Sequence, residues 1–254
     1  MPKSIAEITR ELKLVKLEDL ADILSSYEED DRSNVKKLIG QYRKRLEKLQ
    51  IEQLRLDGMM VYEKKYQEYS LICGIDEVGR GPLAGPVIAC AVILPKDCRI
   101  LYLNDSKQVS EKKRDLLYEE IMDKAIAVGM GSASHETIDE INILQATYQA
   151  MQKAIENLSV EPQILLNDAV TIPNITIPQV PIIHGDASSV SIAAASIVAK
   201  VYRDRLMVQY DSVFPGYGFA SNKGYGSAEH IKALKELGPS PIHRASFIKN
   251  FMNE

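Results

Sequence analysis

The chain has 254 residues, of which 45% are hydrophobic and 26% charged, as in an ordinary globular protein. Its formal net charge of −4 excludes a uniformly basic polyanion binder, although a local patch is what a nucleic acid would meet. No run approaches the roughly 18 apolar residues of a membrane span. The start, MPKSIAEITRELKL, lacks a secretory apolar core, so the cytoplasm is the expected compartment and no membrane partner is expected.

Residues 1–70 read as a helical extension. SIAEITRELKLV opens with Ser4 three residues before Glu7, a capping-box spacing. LEDLADILSSY gives a second short helix, and the stretch from Glu28 to Tyr69 reads as one long helix. Its acids (Glu28, Glu29, Asp30, Asp31) come first and its bases (Lys36, Lys37, Arg43, Lys44, Arg45, Lys48) follow, an order that complements the helix dipole. That basic stretch is either a solvated helix face or a contact to a phosphate backbone. No heptad run persists long enough for a coiled coil, so a monomer is expected.

From residue 71 the period changes. LICGIDEV and PVIACAVILP read as strands joined through a glycine loop, and KAIAVGMGSAS as a third. EKKRDLLYEEIMDKA between them is a helix, or a loop with a helical end. SHETIDEINILQATYQAMQKAIENL is a long amphipathic helix with Ile138, Ile141, Leu144, Ala150, Ile155 and Leu158 on its apolar stripe. QILLNDAV is a buried strand ending in Asp168, and PIIHGD a short strand in a proline-rich connection. Helices follow at VSIAAASIVAKVYRDRLMVQYD, SAEHIKALKELG and HRASFIKNF. This order predicts a mixed sheet covered by helices on both faces, residues 71–254 forming one domain. Cys73, Cys90 and Cys98 have no paired spacing and read as small buried hydrophobes.

Asp76, Glu77, Asp168 and Asp186 each lie within or just after an apolar run. One such acid alone is usually a cap or a turn residue. Four converging carboxylates would repel each other unless protonated or neutralised by cations, and hard divalent ions such as Mg²⁺ or Mn²⁺ suit an all-oxygen site. Strand alternation sends Asp76 and Glu77 to opposite sides, which a twist at the strand end or the longer Glu arm must reconcile. Two ions in such a site would serve in-line attack of water on a phosphodiester, with no protein nucleophile. The histidines show no metal-protease spacing, and His184 reads as structural or solvent-facing.

GIDEVGRGPLAGPVIACAVIL resembles the opening signature of the type 2 ribonucleases H, the bacterial ribonuclease HII group in particular. The resemblance continues through LNDSKQVSEKKR, LLNDAV, HGDASSVSIAAASIVAKVYRDRLM, GFASNKGYGSAEH and LGPSPIHRASF, covering residues 71–250 in the family's order and leaving the first 70 outside. It implies a ribonuclease H-like fold, a mixed five-stranded sheet flanked by helices. It implies hydrolysis of RNA in RNA–DNA hybrids, and cleavage 5′ of single ribonucleotides in duplex DNA, leaving 3′-hydroxyl and 5′-phosphate ends. The family's catalytic acids match Asp76, Glu77, Asp168 and Asp186, the first three as metal ligands. Asn167 before Asp168 departs from the commoner valine and leaves the acid in place.

The resemblance also implies that Gly79, Arg80 and Gly81 present backbone groups to the ribose 2′-hydroxyl, an approach that a missing Cβ permits. Tyr225 would stack on the deoxyribose that follows, although by itself it reads equally as a loop aromatic capping the core. Lys107 in NDSKQ would contact phosphate, while Asp105 and Ser106 alone read as a helix cap. Lys200 and Asp204 form an ordinary helix pair, with Lys200 or Arg203 left as possible nucleic-acid contacts. The sister ribonucleases HIII lack the arginine of the glycine motif and carry a strand-rich extension; Arg80 and the helical start argue against them. The intact acid quartet argues against a catalytically silent hybrid-binding protein.

Overall fold

The computed structural model describes residues 3–15 and 19–252; Leu17 and Glu18, at the start of the second expected helix, lie outside them. The chain divides into two compact units, Met1–Asp57 and Gly58–Glu254. In the first, α1 (Ile5–Leu14) starts on the expected capping box: Ser4 Oγ accepts the Glu7 N–H, and the Ser4 N–H donates to the Glu7 carboxylate. With α2 (Leu20–Ser26) and the beginning of α3 (Ser33–Met59) it closes a small core of Ile8, Leu12, Leu20, Leu24, Val35 and Ile39.

The helix expected from Glu28 to Tyr69 is shorter at both ends. Asp30 binds the backbone N–H and the guanidinium of Arg32, a local arrangement that competes with helical hydrogen bonds. The acidic run therefore precedes α3 instead of opening it. At the far end Met60 leaves helical geometry (φ −89°, ψ 11°), and a separate α4 (Val61–Lys65) follows.

The second unit is built on β1 (Ile72–Val78), β2 (Val87–Ile93), β3 (Ala127–Ala133), β4 (Ile164–Asp168) and β5 (Gln179–Ile182). They form one five-stranded sheet in the order β3-β2-β1-β4-β5. β1 pairs antiparallel with β2 and β2 with β3, whereas β1 pairs parallel with β4 and β4 with β5. This is the mixed sheet that the strand order implies. A 3-10 turn (Ser106–Gln108) and α5 (Glu111–Lys124) lie between β2 and β3, so the ambiguous EKKRDLLYEEIMDKA segment is a full helix. α6 (His135–Glu156) follows β3; α7 (Gly185–Ser188) and α8 (Val190–Val213) follow β5. α9 (Phe219–Asn222), α10 (Ala228–Leu237) and α11 (Ala245–Met252) complete the unit.

Alternation along β1 sorts its side chains. Cys73 and Ile75 join Ala146, Ala150, Met151 and Ala154 of α6 in one core, while Ile72 joins Ile192 of α8 in another. Gly74 also faces α8: a Cβ there would lie 2.1 Å from the Ser191 carbonyl carbon, so only glycine admits this approach. Within α6, Asn142 leaves helical geometry (φ 68°, ψ 164°), and its Oδ1 accepts the N–H groups of Leu144 and Gln145 as an internal cap. The helical phase shifts there, and Leu144 is exposed where straight periodicity would bury it. β5 ends at Ile182, so His184 and Asp186 fall beyond the strand expected to contain them, Asp186 lying in α7. Among the described residues no helix is long and apolar enough to cross a membrane.

Candidate active site

β1 and β4 run parallel with Ile75 opposite Asn167, so Asp76 and Asp168, the next residues, emerge side by side at the same edge of the sheet. Ile72 and Gly74 place Asp76 on the α8 face by alternation, where Ser196 of α8 lines the same cleft and donates its hydroxyl to Ser106 Oγ at 3.0 Å. Glu77 points from the other face, yet it lies near the strand end and its longer arm lines the same cleft. That cleft is walled by Asp76, Glu77, Asp168, Lys107, Lys200 and Tyr225, with Gly79, Arg80 and Gly81 at its rim. A separate hollow lined by Met60, Ile72, Pro95 and Val190 contains none of the four acids.

The acids are crowded and dry. Burial, then the charges of Glu77 and Asp168, pushes the Asp76 carboxyl well above the usual carboxylate range. Burial also raises Glu77, against the opposing pull of Arg80. Asp186 is raised by burial and then by Asp105 and Asp168. Burial works to lower the Lys107 ammonium, but Asp105, Asp186, Asp76 and Asp168 together outweigh it and raise its pKa. Lys107 is thus a cation that Asp105, Asp186, Asp76 and Asp168 share, while Glu77 faces Arg80.

Among the described residues no three Asp, Glu, His or Cys side chains are already converged to hold a metal ion. Their internal bonds account for this. Asp76 Oδ1 accepts the Glu77 N–H at 2.8 Å, Glu77 Oε1 accepts from Arg80 at 3.2 Å, and Asp168 Oδ1 accepts the Gly185 N–H at 2.8 Å. Glu77 Oε2 is buried without any hydrogen-bond partner, which is costly for a carboxylate. An all-oxygen set of repelling carboxylates with one orphaned oxygen fits a hard divalent cation. Asp76, Glu77 and Asp168 are the carboxylates that line this one cleft.

Gly79 has φ +92°, and a Cβ there would lie 2.3 Å from Arg203 Nε. Gly81 is open: its Cβ would meet Tyr225 Cε1 at 3.8 Å, an ordinary contact. The Gly81 backbone and the Tyr225 ring are therefore neighbours, and Tyr225 is 43% exposed at the cleft, not packed as a core cap. Lys200 bonds Asp204 at 2.8 Å, the expected helix pair.

Arg203 takes a structural role and not the nucleic-acid contact left possible for it: it is fully buried and donates to the carbonyls of Pro86, Ala84 and Lys223. Sequence reasoning also missed Arg244. Fully buried as well, it donates to the carbonyls of Gly79, Arg80 and Gly85. Burial, then the charge of Arg203, lowers Arg244 to about 9. These two guanidiniums hold the loop that follows β1. Their partners are backbone carbonyls far away in sequence, which leave no residue-type signature. Asp105 was legible only as the cap of the 3-10 turn, accepting the Lys107 N–H; its charge also raises the Asp186 carboxyl.

Two family models match the chain: Ribonuclease HII over residues 73–250, and Ribonuclease HII N-terminal domain over residues 4–67. The second covers the stretch that the motifs alone left outside. The chain is 71% identical over 246 residues to a ribonuclease HII of Lachnoclostridium phytofermentans, spanning 97% of each. It is 48% identical to a ribonuclease HII of Clostridioides difficile, over 98% of this chain and 99% of that one. Among solved structures, the ribonuclease H2 of Pyrococcus horikoshii OT3 is similar in fold. Its TM-score is 0.60 at 24% identity, covering 72% of this chain and 100% of that one.

Proposed function

The chain belongs to the ribonuclease HII family, a metal-dependent type 2 ribonuclease H, and from that premise we propose how its own residues carry the reaction and which substrate they select. The substrate is a ribonucleotide within duplex DNA or an RNA–DNA hybrid, cut on the 5′ side to leave 3′-hydroxyl and 5′-phosphate ends. Asp76, Glu77 and Asp168 hold the divalent ions, Mg²⁺ or Mn²⁺, and Asp186 orients the attacking water or the second ion. When bound, the cations supply neutralising charge and lower the pKa of the water that attacks the phosphodiester.

The observation that carries this reading is the buried, unpartnered Oε2 of Glu77 beside an Asp76 whose carboxyl its neighbours push upward. Lys107, shared by the surrounding acids, is placed to meet the phosphate. The backbone of Gly79, Arg80 and Gly81 reads the ribose 2′-hydroxyl, which distinguishes RNA from DNA. Tyr225, next to Gly81, packs on the deoxyribose that follows, where another 2′-hydroxyl would crowd the ring. The basic face of α3 in the helical extension, residues 1–70, touches the phosphate backbone.

The test is cleavage of duplex DNA carrying one ribonucleotide, compared with four in a row, under Mg²⁺ and Mn²⁺. Wild type cuts the single-ribonucleotide duplex, and Asp76→Asn abolishes cutting while substrate binding persists. Cleavage at a normal rate by Asp76→Asn would refute the assignment.

A further inference from the structure

Beneath the Gly81–Tyr225 surface lies a buried polar chain that the reaction as described leaves unused. His230 is 0% exposed and His243 5% exposed, packed among Tyr217 and Phe219. The Ser240 N–H donates to His243 Nδ1 at 2.9 Å, and the Ser240 hydroxyl lies 2.7 Å from the same nitrogen. Nδ1 therefore accepts, and in a neutral ring Nε2 carries the proton. His243 Nε2 faces His230 Nε2 at 3.0 Å, and His230 Nδ1 lies 2.8 Å from the Tyr225 carbonyl oxygen. A carbonyl can only accept, so His230 Nδ1 bears hydrogen and its Nε2 accepts. Worked from either end, the tautomers agree: Ser240 to His243 to His230 to the Tyr225 carbonyl, every donor matched to an acceptor.

The same turn grips the opposite wall of the recognition surface. Arg244, adjacent to His243, donates to the carbonyls of Gly79 and Arg80. Gly85 N–H donates to Ile242 O, Arg244 N–H to Leu83 O, and Leu83 N–H to Gly224 O. One short segment, residues 240–244, thus ties both the glycine loop and the tyrosine loop. The Tyr225 carbonyl has a second donor, the Ser227 N–H, which fixes its height at the start of α10. The His230 bond adds a side-chain constraint that reaches back to Ser240.

We propose that Ser240, His243 and His230 are positioning residues for single-ribonucleotide recognition, acting through a buried relay that sets Tyr225 against Gly81. The proposal rests on the assignment of Tyr225 to the sugar surface made above. Burial lowers both imidazoles, His243 to about 4, which keeps the relay in its neutral form near neutral pH.

Two substitutions separate positioning from packing. In His230→Asn the amide replaces Nδ1 and keeps the bond to Tyr225. In His230→Gln it replaces Nε2, keeping the link to His243 and withdrawing the donor from Tyr225. Both remain polar and of similar size. The expected result is that His230→Gln loses about five- to tenfold in kcat/KM on the single-ribonucleotide duplex, the loss of one hydrogen bond. His230→Asn stays near wild type, and the Gln effect disappears in a Tyr225→Ala background, the non-additivity expected of coupled residues. Equal losses in both variants, or a Gln effect that persists without the tyrosine ring, would overturn the proposal. Nitrogen-15 NMR of the histidines in the wild-type protein gives an independent reading that needs no variant to fold. Protonation at His230 Nδ1 and His243 Nε2 supports the relay, and the reverse tautomers overturn it. A wild type that leaves the single-ribonucleotide duplex uncut instead fails the functional reading itself, a separate and recognisable result.

Discussion

Gly79 and Gly81 occupy the same motif for different physical reasons. A Cβ at Gly79 would collide with the buried Arg203 side chain at a backbone φ of +92°, so strain and clash add. Gly79→Ala should lower stability by about 2 kcal/mol or more and reduce cleavage with it. Gly81→Ala meets only an ordinary contact, so thermal unfolding should change by no more than about 0.5 kcal/mol. Its cleavage of the single-ribonucleotide duplex should nonetheless drop, because the added methyl stands where the sugar approaches. A Gly81→Ala protein that is both stable and fully active would contradict the ribose-reading role. His243 allows a pH argument. Burial, then His230, holds its imidazole at about 4 in the fold, against about 6.5 in an unfolded chain. Between those values the unfolded state binds more protons, so stability is lost as pH falls from about 6.5 toward about 4. The stability advantage of wild type over His243→Gln should shrink across that window, and a difference independent of pH would refute the shift. The four acids and the glycine motif stand out in the sequence because their residue types and spacing point to a chemistry. Arg203 and Arg244 do not, because their partners are distant backbone carbonyls; the histidine pair does not, because only the fold brings the two rings together.

At the level of elements, the site exists because β1 is pressed against α8 closely enough for Asp76 and Ser196 to line one cleft. Gly74 sets that distance. Alanine there would overlap Ser191 and Ile192 backbone atoms at 2.1 to 2.4 Å, and neither a central strand nor a buried helix can yield cheaply. Gly74→Ala should therefore destabilise by about 3 kcal/mol or more, read as a lower urea midpoint; an unchanged midpoint would mean that α8 can slide. The strands and helices were readable from their periods, since β2 is uniformly apolar and α1 carries its capping box. The turns inside elements were less so. Asn142 recaps α6 from within, and Asp30 draws the chain into a turn before α3. Each is a local side-chain bond competing with the helix, and each could have been weighed from sequence as a polar residue at a helical phase break.

Over the whole molecule, net charge says little about partners, because bases cluster locally along α3. Lys44, Arg45 and Lys48 are exposed on that helix. Replacing the three by glutamine should weaken binding of duplex substrate and flatten its salt dependence, by about 0.9 in log–log slope for each phosphate that is no longer neutralised. An unchanged slope would leave that face as solvated surface. The sequence by itself determined the helical extension, the mixed sheet, the three acids in β1 and β4 and the ribonuclease H type 2 chemistry, because motif residues and hydrophobic periods are local properties. The tertiary structure decided how those parts are held: which face of β1 carries Asp76, how Glu77 reaches the same cleft, and why two buried arginines and a histidine relay lie beneath Gly81 and Tyr225. The two arginines in particular bond segments some 20 to 165 residues away, where a backbone carbonyl is the partner and any residue can supply one.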